Sequence, residues 1–257
     1  MNLFAATGRL TLDALRETGR IATLAGKGAT AMLARPFYWR AFFSALRRIG
    51  FTSLPVVGMT AIFTGAALAL NIYEGSLLPN TEAFLPQILG VSIVRELGPV
   101  LAALMVAGRC SSAMAAEIGT MRVTEQIDAL ATLSVDPFKY LIAPRILATT
   151  IALPFLVFIA DVIGVYGGYL VSVHALGFAP EIYIMNLIDF LTMDDVTSGL
   201  IKATVFGFLI SVMGCYYGYT SRGGAGGVGA ATRTAVVMAA IAVLASNYFM
   251  TSLLVEF

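Results

Sequence analysis

The sequence predicts an all-α membrane protein: an N-terminal interfacial helix followed by five transmembrane helices, with a short polar helix between the second and third. Three observations lead there. The chain is 58% hydrophobic and 12% charged, with a mean hydropathy of +0.86, against about 25% charged residues in an ordinary soluble domain. Ile49 to Tyr73 holds no charge over 25 residues, and Thr234 to Val255 none over 22, each longer than the roughly 20 apolar residues that cross a bilayer as a helix. The basic residues gather in blocks separated by long stretches without any.

Residues 1–48 form the first region, with eight Arg or Lys against two acids. Leu12, Leu15, Ile21 and Leu24 recur between the basic residues, a pattern suited to a helix lying in the headgroup layer; a loose tail is the alternative. The aromatic stretch Arg35 to Phe43, RPFYWRAFF, favours the interface, where Trp and Tyr settle. No early segment has the apolar core of a cleavable signal peptide. Residues 49–257 form the second region. Its five expected spans are Ile49–Tyr73, a stretch within Ala83–Ala116 interrupted by Arg95 and Glu96, Ile146–Val173 with Asp161 inside, Gly199–Tyr219 and Thr234–Val255.

Lys and Arg set the orientation. None lies between Arg48 and Arg95, between Arg145 and Lys202, or after Arg233. With five spans, one arrangement fits: the N-terminus, the segment around residues 120–140 and the turn at Arg222 are cytoplasmic. The loops near Glu74–Glu82 and Glu181–Asp195 and the C-terminus are then on the other side.

Several function classes drop out early. A net charge of +1 provides no field for nucleic acid. His174 is the only histidine and has no second ligand type at metal spacing, so no metal site is expected. Cys110 and Cys215 sit in apolar or glycine-rich runs and read as small buried residues, not as a disulfide. The Gly223–Ala231 stretch contains a formal GxGxxG, but no strand precedes it and no Lys-Ser/Thr follows, so it reads as a flexible cytoplasmic turn. YGGYL and YYGYT read as small-residue packing sites with interfacial tyrosines. No nucleophile–base set is visible, and no catalytic residue is assigned.

The polar central segment reads as a connecting helix. Val123, Ile127, Leu130 and Ser134 fall at helical spacing, while Glu125, Gln126, Asp128 and Ala129 fall on other faces. Early acids suit the positive end of the helix dipole, and Asp136-Pro137 ends the helix. An amphipathic helix of this kind, within residues 119–136, is what a permease presents to an ATPase; a plain connector resting on headgroups has the same periodicity.

The residues themselves add a resemblance. VRELGPVLAALMVAGRCSSAMAAEIGTMRVTEQIDALATLSVDPFKYLIAPR (Val94–Arg145), GVGAATRTAVV (Gly227–Val237) and DDVTSGLIKATVFG (Asp194–Gly207) closely resemble the MlaE/YrbE family, the permeases of ABC systems that move lipid with MCE-domain proteins. The likeness runs from about Pro36 to the end. It implies a homodimer in a bacterial inner membrane, with an ABC ATP-binding subunit on the cytoplasmic face. It also implies an MCE-domain protein on the periplasmic face, and a small STAS-domain subunit is a further expected partner. The central helix is then a cytoplasmic coupling helix between the second and third spans. Glu125, Gln126 and Asp128 would face the ATPase, with Ile127 and Leu130 turned inward. ATP and Mg belong to that partner, and this chain needs no cofactor.

Arg95 and Glu96 interrupt an apolar run, followed by Leu97-Gly98-Pro99. Charges at membrane depth are costly and mark a functional site by default, although an interhelical ion pair that only holds the fold is the plain alternative. Pro99 frees a backbone carbonyl and is expected to break the helix. By the resemblance, Arg95 and Glu96 line an outward-facing lipid cavity near a phospholipid headgroup. Leu97, Val100 and Leu104 would form part of its apolar wall, with Asp195, Lys202 and Tyr73 beside it. Asp195 and Lys202 would otherwise be an outer-leaflet pair reaching to water, and Tyr73 an interface anchor. Asp161 is expected to hydrogen-bond a neighbouring helix or to face the cavity. A secondary transporter using these intramembrane charges is the rival function, but the inverted repeats common in that class are not evident.

Overall fold

The computed structural model describes residues 3–75 and 81–255. Residues 76–80, part of the loop expected near Glu74–Glu82, lie outside the described residues, as do the two at each chain end. The described residues form eight helices and no strand. They are α1 (Leu3–Leu33), α2 (Trp39–Gly75), α3 (Thr81–Val123), α4 (Gln126–Thr132), α5 (Phe138–His174), α6 (Pro180–Phe190), α7 (Met193–Tyr219) and α8 (Gly224–Val255). Five of them, α2, α3, α5, α7 and α8, are long and apolar enough to cross a membrane, in agreement with the sequence. Their outward faces carry Phe63, Phe155, Val162, Ile241 and Leu244 exposed, as expected where lipid is the solvent.

α5 is the hub. It packs most extensively against α2 and next against α7, and α7 in turn packs on α8 and α3. The α2–α5 contact uses glycine for its lack of a side chain: a Cβ on Gly65 would stand 1.8 Å from the Gly164 carbonyl oxygen, and one on Gly167 2.3 Å from that of Ile62. With no hydrophobic drive between helices in lipid, such close backbone approach supplies the dispersion contact that holds them. Gly167 belongs to YGGYL. Gly218 of YYGYT likewise lies against the Ala115 backbone. Cys110 and Cys215 are both free and buried.

Several elements differ in detail from the expected ones. α2 runs unbroken from Trp39 through Arg48 into the first span. In α1, Leu12 and Leu15 are exposed, while Leu24 is buried and a Cβ on Gly28 would touch Ile146, so only its second half is seated on the bundle. The outer stretch 181–195 is not a loop: α6 starts at Pro180, fills most of it, and buries Tyr183, while Leu187 packs over Gly90 of α3. α7 then begins at Met193, with a capping box between Thr192 and Asp195. The glycine-rich stretch is not a flexible turn either. Left-handed backbone is confined to Gly223 and Gly224, at φ 86° and 67°, and the residues from Gly226 onward are helical. Val228 packs against Gly119 of α3 there, a tertiary contact that outweighs the roughly 1 kcal/mol helix penalty of each glycine.

α3 does not break at Pro99. It passes through two π-turns, Ile93–Leu97 and Ala107–Ser111, and a third opens α5 at Phe138–Ile142. The proline explains the first. Pro99 has no N–H to offer the carbonyl of Arg95 four residues back, and the ladder resumes one residue wider, with the Gly98 N–H donating to Ile93 O. Pro144 stands in the same relation to Tyr140 in the third.

Candidate functional site

At the first π-turn the charges of α3 and α7 meet two neutral polar side chains of α8. Lys202 of α7 is fully buried. Its Nζ donates to Glu96 Oε1 at 2.6 Å, to Thr251 Oγ1 at 2.8 Å and to the Arg95 carbonyl oxygen at 3.1 Å. That carbonyl is the one Pro99 releases, so the lysine takes the place of the missing amide. Glu96 also accepts from Asn247 Nδ2 at 3.1 Å and from Thr251 Oγ1 at 3.0 Å. Nearer the start of α7, Asp195 stands 3.6 Å from Arg95 Nη1 while it caps the helix by accepting from the Thr192 hydroxyl at 2.8 Å.

Both acids therefore pair across helices, and Asp195 and Lys202 serve different partners. The cluster is closed on one side only. Lys202 retains 1% side-chain exposure, whereas Glu96 retains 35% and Arg95 32%. Asn247 Oδ1 and Ser198 Oγ are buried without a hydrogen-bond partner, which leaves acceptor and donor capacity unused. Thr251 and Asn247 escaped the sequence reading. Their signal was present, two polar residues four apart on one helical face of the last span.

The other expected residues are dispersed. Leu97 lines an open apolar groove of about 540 Å³ with Met59, Phe63 and Asn71 of α2. Val100 and Leu104 are partly buried against the main core. Tyr73 does not share a lining with the Glu96 cluster: its ring meets Phe178 at 6.0 Å and it lines a rim cavity with Glu82 and Ile182. Asp161 makes no hydrogen bond to a neighbouring helix among the described residues, and its buried Oδ1 has no partner. It lines an apolar cavity of about 530 Å³ with Tyr166, Tyr169 and Tyr183, and Gly98 is the residue that makes room for its carboxyl.

The central helix α4 is two turns long. Val123 ends α3, and Thr124 and Glu125 form the corner, with Glu125 in the left-handed region at φ 61°. Ser134, also left-handed at φ 60°, lies past the end. Asp136 does not end α4 but caps the start of α5, accepting from the Phe138 N–H at 2.9 Å. Ile127 is buried and Leu130 is half-buried against the core, while Glu125, Gln126 and Asp128 are exposed. Asp128 is paired with Arg122 at 2.6 Å, and Leu133 at the tip is 74% exposed.

Five apolar spans enclosing a charged cluster, with a short polar helix at one end, define a multi-pass membrane protein. The family model for the MlaE permease matches residues 42–253. A probable ABC transporter permease protein of Rickettsia bellii is 48% identical over 98% of both chains. The intermembrane phospholipid transport system permease protein MlaE of Haemophilus influenzae is 31% identical over 99% of this chain and 98% of its own. The chloroplastic protein TRIGALACTOSYLDIACYLGLYCEROL 1 of Arabidopsis thaliana is 36% identical over 89% of this chain and 65% of its own. The chain belongs to the MlaE permease family.

Proposed function

We propose that this permease is the membrane subunit of an ATP-driven transporter that moves phospholipid between the inner and outer membranes of a bacterium, and that the Glu96 cluster lies at the headgroup end of the path. The observation that carries this reading is the half-open cluster itself. Arg95 and Glu96 each leave about a third of their side chain open, 32% and 35%, in the middle of an apolar span. Lys202 anchors Glu96 from behind. A charge held open at that depth is tolerable only toward protein or a wet cavity. Arg95 keeps guanidinium donors for a phosphate, whose oxygens match its fork.

The likeness to the Haemophilus protein, named for intermembrane phospholipid transport, supports phospholipid as the cargo. α8 supports a homodimer. Val237, Ile241, Leu244 and Tyr248 form an exposed stripe on it at helical spacing, and the same helix carries Asn247 and Thr251 to Glu96. Two copies meeting there would bring two clusters to one chamber. α4, with Glu125, Gln126 and Asp128 outward and Leu133 at its tip, is the docking surface for a separate ATP-binding subunit, which also supplies ATP and Mg. An MCE-domain protein stands on the periplasmic side, and a STAS-domain subunit joins the ATPase. The N-terminus is cytoplasmic and the C-terminus periplasmic.

The test is transport by the assembled complex between labelled donor and acceptor vesicles. Arg95→Gln is expected to reduce phospholipid transfer about tenfold, the loss of one charge-assisted hydrogen bond at the head, with dimer and ATPase association kept. A photoreactive residue at Leu97 should capture lipid. Normal transfer by Arg95→Gln together with only protein crosslinks at position 97 would make the cluster purely structural.

A further inference from the structure

The other end of α3 holds a second charged site, apart from the Glu96 cluster. A cleft of about 330 Å³ opens between α2, α3 and α5, lined by Arg48, Arg109 and Arg145 with Glu117 as its one carboxylate. Glu117 is shared: Oε1 accepts from Arg48 Nη1 and Oε2 accepts from Arg145 Nη2 at 3.1 Å. Arg109 has no ion-pair partner among the described residues, and its Nη1 donates to Ser53 Oγ at 2.8 Å. Three guanidinium charges against one carboxylate leave two positive charges in the cleft.

Position makes that excess costly. Arg109 follows the uncharged run 97–108 of α3, and Arg48 and Arg145 immediately precede the apolar runs of α2 and α5, so the three guanidinium groups gather at one end of the spans. Three guanidinium groups gathered around one carboxylate repel one another, so the site calls for an anion. A guanidinium carries five donors, and Arg109 commits one to Ser53. The rest of the lining is largely apolar, including Ala45, Ile49, Ala113 and Met114. Two of the three π-turns border the cleft, one through Arg109 and Cys110 and the other through Tyr140 and Leu141. Such turns recur at functional sites.

We propose that this cleft binds a phosphate group between Arg48, Arg109 and Arg145, and that the group belongs to a membrane phospholipid whose chains follow the Ile49–Met114 wall. The guanidinium forks match phosphate oxygens bidentately. A free phosphate ion has the same chemistry, but it would leave the apolar wall unused. The cleft sits between the end of α3 and the start of α5, the two helices joined through α4, so its occupant braces the mounting of α4. The inference stands whether or not the Glu96 cluster handles lipid.

The test uses the full-length chain purified in detergent, with benzoylphenylalanine in place of the exposed Ala113 and radiolabelled phosphatidylglycerol as probe. The label is expected to crosslink at position 113 in the otherwise unchanged chain. The yield should fall about tenfold or more in Arg109→Gln, the loss of a charge-assisted bond, and recover in large part in Arg109→Lys. Should Arg109→Gln fail to fold, Arg48→Gln at the exposed rim carries the same comparison, with a smaller expected fall. Glu181→Gln, at an exposed residue of α6 far along the chain from the cleft, should leave the yield unchanged, and excess diacylglycerol should not compete. Competition by excess orthophosphate would keep the phosphate site but overturn its assignment to lipid. Equal competition by diacylglycerol, a crosslink indifferent to Arg109 and Arg48, or one abolished by Glu181→Gln would overturn the site itself.

Discussion

Replacing Lys202 by methionine removes the group that ties α3, α7 and α8 together. The substitution nearly conserves volume and lies in a fully buried site, so the effect reports polar contacts more than packing. Three acceptors lose a donor at once: Glu96, Thr251 and the Arg95 carbonyl. The carbonyl has no substitute, because Pro99 has no N–H. Removing one partner of a buried pair costs about 3–5 kcal/mol. Glu96 keeps its bonds from Asn247 and Thr251 and is 35% exposed, which places the expectation near the lower end, about 3 kcal/mol. For a chain of this size that corresponds to a fall in Tm of about 6–12 °C, measured by thermal unfolding of the purified protein in mild detergent. Lys202→Met combined with Glu96→Gln should recover about 1–2 kcal/mol of the loss, because the uncompensated carboxylate is gone. A single variant as stable as the parent, or strict additivity in the double variant, would refute the ion-pair account.

Three further outcomes are expected. Gly65→Ala would place a Cβ 1.8 Å from the Gly164 carbonyl oxygen; forcing α2 from α5 should cost about 1–3 kcal/mol, seen in the same unfolding assay. Glu125→Lys with Asp128→Lys should weaken co-purification of the ATP-binding subunit and leave the yield of permease in the membrane intact, whereas Ile127→Asp, at a site 1% exposed, should lower that yield. In a background lacking Cys110 and Cys215, a cysteine at position 181 should react with an impermeant maleimide in intact spheroplasts and one at position 128 should not; the reverse pattern would invert the orientation.

Much of the architecture was written in the composition. A bilayer demands that each span satisfy its own backbone over a fixed thickness, so five apolar runs become five helices wherever they end up relative to one another. The same solvent argument marks Arg95, Glu96 and Lys202 as exceptional before any coordinates exist. The inward turn of Ile127 was also present as a helical period.

What the tertiary structure decided was partnership. Glu96 and Lys202 are 106 residues apart, and no local pattern says that α7 lies beside α3 at that height, or that Asn247 and Thr251 arrive from α8. The π-turn follows from Pro99 only once a neighbouring lysine is there to donate to the released carbonyl; the sequence alone equally allowed a broken helix. Residues 180–190 and the glycines after Gly224 read as loop because their intrinsic preferences are weak. They are helical because Leu187 and Val228 find glycines of α3 to pack on. Apart from proline, local helix propensity is worth about 1 kcal/mol per residue or less, and long-range packing, which a linear chain does not display, outweighs it.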